Sequence, residues 1–400
     1  MTAGAVADGR VLSDAERTAL ATLMRVAEPG LVGLLRHVAE HGVEQTLTDI
    51  RSGMSIGDAD IDGMRHRLAT ASGEADLAAG AAVGARLVGR GEPDWPAQLE
   101  DLDWVGRASL GLWVRGDRSL AETCERSVAI VGTRTATDYG AYVAGEMAAG
   151  LAGRGWTVVS GLAYGIDAAA HRGALAGGGL TVAVLACGID VPYPKGHRTL
   201  WEQVTAGGLV VTEHPPGSAP QRQRFLVRNR IIAALSAGTV VVEMAPRSGA
   251  RSTATHAAFL SRHVMCVPGP VTSSMSVGCH QLLRERPETV LVTKADEVIE
   301  QCGHVGELAV RETSPPTLRD QLGPAVAKVF EAVPVQRAAS AQSIARTAGV
   351  SVRLTESALA ALAEAGLVER VGNGWAMTTE GRRDRQARRA GVDELALDWW

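Results

Sequence analysis

The stretch Val128-Ala129-Ile130-Val131-Gly132-Thr133-Arg134 sets the architecture, because an apolar, mostly β-branched run ends abruptly on a glycine, a hydroxyl side chain and an arginine. Three later apolar runs end in a similar way. Ser160-Gly161 closes Trp156-Thr157-Val158-Val159, Gly188 follows the run from Val182 to Cys187, and Ser248-Gly249 comes just after Val240-Val241-Val242-Glu243. Short apolar runs without alternation, bounded by glycine, are expected of strands buried on both faces of a parallel sheet. Right-handed connections then bring the carboxyl ends of the strands to one edge, where open α/β sheets bind ligands. That edge would carry four glycine or hydroxyl turns, with Arg134 on the first. Backbone amides and small hydroxyls at helix N-termini are what phosphate oxygens need.

Outward from this stretch, apolar runs recur near residues 128, 157, 181, 209, 239, 263 and 289, a spacing that suits strand–helix–strand units. Residues 139–153 are the clearest intervening helix. Towards the N-terminus, Ser13-Asp14-Ala15-Glu16 reads as a capping box that opens a helix to about Val26. A second helix is expected from about Pro29 to Glu40, and helical pattern continues to about Ala82. Residues 1–90 are thus expected as an all-α N-terminal domain and 91–302 as the central α/β domain, with a strand near Leu110 to Val114 leading into it. A linker over 303–318 contains Pro315-Pro316. In residues 319–385, Ser340 and Ser351 are placed to cap two helices, and a hairpin is expected around Gly372-Asn373-Gly374. Helix, turn, helix and hairpin is the outline of a winged helix. The tail, 386–400, follows a basic run from Arg382 to Arg389 and ends on Trp399-Trp400, which could form a short docking peptide or simply fray.

Four hundred residues are expected to divide into two or three domains. The net charge of −4 gives no global attraction to nucleic acid, yet residues 127–297 hold 15 Lys/Arg against 11 Asp/Glu. Nearly all cations are arginine, the better fork for phosphate oxygens. Five cysteines without a CxxC pair suggest reduced thiols in a cytoplasmic protein. Neither a signal peptide nor a membrane span is expected.

Within the α/β segment, Phe225-Leu226-Val227-Arg228-Asn229-Arg230 places two arginines around an asparagine before an apolar helix. Guanidinium groups bind phosphates bidentately and an aromatic neighbour can stack a base; equally, Phe225 could be core and the arginines a solvated helix start. Lys195, in Tyr193-Pro194-Lys195-Gly196-His197, belongs to a loop on the ligand edge. Asp167 is expected as a helix cap and His171 as a packed polar side chain. No GxGxxG or GxxxxGK[ST] loop, metal-spaced Cys/His cluster or GxSxG elbow is present, so no metal, cofactor or catalytic residue is expected.

Taken in order, these segments resemble the DNA-processing protein A (DprA) family. The resemblance is carried by Val128 to Arg134, by Ser160 to Asp167 with His171, and by Tyr193-Pro194-Lys195. It continues through Arg228-Asn229-Arg230-Ile231-Ile232, Ser248-Gly249 with Thr253-Ala254, and Val267-Pro268-Gly269. It implies an extended Rossmann-like fold with a mostly parallel sheet that binds single-stranded DNA, forms a homodimer and helps load RecA recombinase in natural transformation, with no enzymatic reaction. The DNA-binding residues so implied are Arg134 and Lys195 on phosphates, the turns at Gly132, Thr133, Ser160, Gly161, Ser248, Gly249 and Thr253, and Phe225 stacking a base beside Arg228, Asn229 and Arg230. His197 and His280 stand where the family has asparagine and Leu226 where it has proline, while Arg251 adds a phosphate contact outside the family pattern.

Two other functions compete. A Rossmann-type nucleoside monophosphate hydrolase could use Glu243 at a strand end, but residues 245–252 lack the PGGxGTxxE loop of that related family. A winged-helix transcription regulator would read DNA through about Val352 to Glu364, which carries only Arg353 against Glu356 and Glu364.

Overall fold

The structure, a computed structural model, describes residues 10–304 and 323–382, apart from Asp58, Arg247 and Gln336. Ser13 opens α1 (Asp14–Val26) through the expected reciprocal cap with Glu16. α2 (Val32–His41), α3 (Val43–Ser52), α4 (Ile61–Leu68) and α5 (Gly73–Ala82) follow. Leu23, Leu34, Ile50 and Met64 meet in their shared core. The segment 1–90 is not purely helical, however. It closes with β1 (Ala85–Gly89), which pairs antiparallel with β2 (Gly111–Arg115). Five residues directly after a helix carry little local signal, and β1 is stable only because β2 offers it an edge. Leu20, Ala21 and Met24 of α1 pack with Leu87 and Trp113, so residues 1–308 make one compact unit.

After α6 (Leu120–Glu125) the chain alternates strand and helix. β3 (Ser127–Val131), α7 (Asp138–Ala152), β4 (Thr157–Ser160), α8 (Ile166–Ala176), β5 (Thr181–Val184), α9 (Arg198–Gly207) and β6 (Leu209–Thr212) come first. Then come α10 (Arg222–Ala234), β7 (Gly238–Val241), α11 (Ala250–Phe259), β8 (His263–Cys266), α12 (Val277–Glu285), β9 (Val290–Leu291) and α13 (Ala295–Cys302). The sheet order is β1-β2-β6-β5-β4-β3-β7-β8-β9. β6 to β9 in that order are mutually parallel, and only β2 against β6 and β1 against β2 run antiparallel.

The β3 side chains explain why the run lacks alternation. Val128 and Ile130 pack with α7, α8 and α13, while Ala129 and Val131 pack with α10, α11 and α12. Each such valine or isoleucine contributes about 1.5–3 kcal/mol by leaving water. From β3 the chain winds outward through β4, β5 and β6, then returns to place β7 on the other side of β3. The carboxyl ends of β3 and β7 therefore flank the point where the winding reverses, the place where open sheets leave a crevice.

The second unit, 309–400, is described over residues 323–382. It contains α14 (Pro324–Ala332), α15 (Ala341–Ala348) and α16 (Val352–Glu364), the last two capped by Ser340 and Ser351 as expected. β10 (Val368–Val371) and β11 (Gly374–Met377) form the hairpin, with Gly374 paired to Val371, so the connecting loop is Gly372-Asn373 alone. Phe330, Leu359, Leu362 and Met377 fill its core. Most of the expected linker and the whole Trp-Trp tail lie outside the described residues. Among those described, no helix is long and apolar enough to cross a membrane.

Candidate nucleic-acid interface

A cleft of about 370 Å³ opens at the winding reversal. Gly132, Thr133 and Arg134 line it from the turn after β3, Ala163 and Asp167 from the turn after β4, and Ser248, Gly249 and Thr253 from the start of α11. Phe225, Leu226, Arg228 and Asn229 of α10 form a further wall.

The β3 turn is held from behind. The Thr133 N–H donates to the Glu243 carbonyl at 2.8 Å, and the Thr133 carbonyl accepts from the Ile166 N–H at 3.2 Å. The buried Glu243 carboxylate accepts from the Thr137 N–H at 2.9 Å and from its hydroxyl at 2.6 Å. Close contact with α8 requires Gly165, whose φ is +78° and where a side-chain carbon would stand 2.3 Å from the Thr133 carbonyl oxygen. With its backbone so fixed, the turn presents an exposed Arg134 at the rim, its guanidinium 5.2 Å from the centroid of Phe225. The cation lies over the ring, so charge and aromatic surface stand together at the rim.

Below the rim, Arg228 is buried and donates to the Val184 carbonyl. Burial lowers its pKa to about 10, partly offset by Asp167, so it stays charged at neutral pH. Its Nε has no hydrogen-bond partner among the described residues. The Asp167 carboxylate accepts from the Gly161 and Ala163 amides at 3.2 and 3.4 Å. Burial raises its pKa against the opposing pull of Arg228. Asp167 thus ties the preceding loop, and the N-cap of α8 is Gly165 rather than Asp167.

Nine expected site residues line this cleft: Gly132, Thr133, Arg134, Phe225, Arg228, Asn229, Ser248, Gly249 and Thr253. Five do not. Arg230 is sealed in the interior with its guanidinium forked onto Glu213, one arm at 2.7 Å, so it is an ion-pair residue rather than a groove cation. Ser160 is buried and donates to the Ile130 carbonyl at 2.6 Å. Gly161 lies behind the wall, where a side-chain carbon would stand 2.2 Å from Arg228 Nη1. Arg251 faces α12 and pairs with Glu285 at 2.8 Å. Lys195 is exposed on the short turn Lys195–His197, beside the cleft rather than in it. Of the four glycine turns, the one at Gly188 is likewise outside, its amide donating to the Ser218 carbonyl.

His171 is buried, with Nδ1 2.7 Å from the Thr181 hydroxyl, and burial takes its pKa down to about 3, as suits a packed polar side chain. The two histidines at asparagine positions both meet backbone carbonyls: His197 that of Leu162 at 3.0 Å, and His280 that of Gly269 at 3.1 Å. An asparagine amide could make the same bonds. The sequence reading missed Ala163, Asp167 and Leu226 as lining residues and Tyr193 as a neighbour of Phe225; Ala163, Asp167 and Tyr193 stand inside the motif segments, but which side chains of a loop face the cleft depends on how the loops pack.

The family model for DNA recombination-mediator protein A matches residues 86–303, from β1 to α13. A Mycobacterium tuberculosis protein (strain CDC 1551 / Oshkosh) bearing the name DNA processing protein DprA is 42% identical over 387 residues, 94% of this chain and 98% of its own. DNA processing protein DprA of Streptococcus pneumoniae (strain ATCC BAA-255 / R6) is 38% identical over 199 residues, 50% of this chain and 69% of its own. The X-ray structure of DNA processing protein A from Streptococcus pneumoniae superimposes with a TM-score of 0.61 at 29% identity, covering 72% of this chain and 96% of that one.

Proposed function

Because the chain belongs to the DNA recombination-mediator protein A family and shares its role in DNA processing and recombination, we propose that the cleft binds single-stranded DNA. One observation carries this reading: Arg134 and Phe225 stand together at the rim of a cleft whose far wall is the amide-rich start of α11. Exposed guanidinium and helix N-terminal amides suit phosphates, and the ring suits an unpaired base. A paired base in a duplex has no face to offer the ring. Arg134, Lys195 and the turns at Gly132 and Gly249 are the proposed phosphate contacts, with Arg228 supplying charge from beneath.

The arrangement favours binding over hydrolysis. Glu243, the carboxylate a hydrolase would use, holds Thr137 on the far side of the β3 turn, and Asp167 holds two loop amides. For the C-terminal unit, whose three helices and hairpin we read as a winged helix, Arg353 remains the single cation of α16. In the same reading the protein works in the cytoplasm as a homodimer and helps RecA onto the bound strand.

The deciding experiment compares single- and double-stranded oligonucleotides across a salt series, with nucleotide hydrolysis followed on the same sample. Single strands should be preferred, with affinity falling as salt rises. Equal affinity for duplex, or a flat salt response, overturns the proposal. RecA filament assembly with and without the protein, and solution mass by light scattering, test the partner and the dimer.

A further inference from the structure

We propose that Tyr164 and Tyr193 form a second base-stacking subsite beside Phe225, so that a single strand lays successive unpaired bases along one aromatic row. The proposal rests on the single-strand reading above and adds residues that reading does not use.

The chain has four tyrosines, and all four follow the carboxyl ends of β3, β4 or β5: Tyr139 and Tyr142, Tyr164, and Tyr193. Tyr139 is engaged through its hydroxyl, which donates to the Pro268 carbonyl at 2.6 Å. Tyr164 and Tyr193 differ. They are 48% and 37% exposed, and neither hydroxyl makes a hydrogen bond within the described residues. Large rings left at a surface, in a chain with only 4% aromatic residues, forgo burial that a core could use.

Their placement is specific. The Tyr193 ring lies 5.4 Å from Phe225 at a tilt of 49°, and Phe225 in turn carries the Arg134 guanidinium 5.2 Å from its centroid. Tyr164 meets His197 edge-on at 4.5 Å, and His197 is anchored to the Leu162 carbonyl. Tyr193 thus precedes the Lys195–His197 turn in the chain, and Tyr164 packs on His197 at the end of that turn. Lys195 is exposed and in no ion pair among the described residues. The tilted rings are not stacked on one another, which leaves a face of each for a base. Aromatic faces bind any base, so the row would hold a strand without reading its sequence.

The test uses the full chain and two oligonucleotides of equal length, one of thymidine and one abasic, which keeps the phosphates and removes the bases. Tyr164→Ala and Tyr193→Ala should each weaken thymidine-strand binding about tenfold, within the range expected for one stacked base. Each should leave abasic-strand affinity and the salt slope unchanged, and Tyr164→Phe and Tyr193→Phe should bind as the unaltered protein does. Unchanged thymidine binding, or equal losses on both strands, overturns the proposal. If an alanine variant fails to fold, the leucine variant at that position, which keeps bulk and removes the ring, takes its place under the same criteria. Failure of the unaltered protein to bind the thymidine strand would instead overturn the single-strand reading itself.

Discussion

Arg228 and Arg230 stand two positions apart and have different fates. Arg228 faces the cleft floor, whereas Arg230 is closed in with Glu213. Arg230→Ala would leave a buried carboxylate unpaired and should cost about 3–5 kcal/mol, measured by urea unfolding, with little change in DNA affinity of the folded protein. Arg134→Ala should do the reverse, weakening single-strand binding by about 1–3 kcal/mol in a titration while the thermal midpoint holds. Gly161→Ala should affect both. Its new carbon would meet the Arg228 guanidinium at 2.2 Å, forcing that group or the loop to move, at a cost of about 1–3 kcal/mol in stability together with reduced affinity.

The element that matters most is the turn from β3 into α7. Thr137 serves it twice, accepting from the Gly140 amide as the cap of α7 and donating to Glu243 at 2.6 Å. Thr137→Val removes both bonds while keeping the shape, so stability should fall by about 1–2 kcal/mol in thermal unfolding. Because Arg134 sits three residues upstream on the same turn, DNA affinity should fall as well. A stability loss with unaltered affinity would show that the turn keeps its shape without this strut.

For the whole molecule, three buried histidines set an acid limit. Burial holds His171 near pKa 3 and His214 and His256 near 4, below the usual 6.5. Their unfolded forms therefore take up protons below about pH 6.5 that the folded protein refuses until pH 4 or lower. Their contribution is complete above pH 6.5 and is lost as pH falls through the folded values. Asp167, raised by burial, works in the opposite sense above pH 3.8, one group against three. Urea midpoints should fall steadily between pH 6.5 and 4.5; a flat profile would mean that these side chains become hydrated. A chain ending at residue 308 should keep single-strand binding, since every cleft residue belongs to the first unit, and filter binding would show it.

The parallel strands, the edge that carries the site and the capped helices were legible in the chain alone, because β-branched runs, glycine stops and Ser or Thr caps act over a few neighbouring residues. Arg134 was legible for the same reason, since it stands three residues beyond a buried strand, on the turn at the sheet edge. Whatever depends on distant partners waited for the assembled fold. β1 needs β2, Ser160 reaches Ile130, Arg251 meets Glu285 and Tyr193 comes beside Phe225 only once the sheet is in place. Arg228 and Arg230 show the reason most clearly. Two residues on a helix are about 200° apart, so they point to opposite sides. Which of them meets the ligand depends on how α10 docks against the sheet and on Glu213, which arrives from the end of β6.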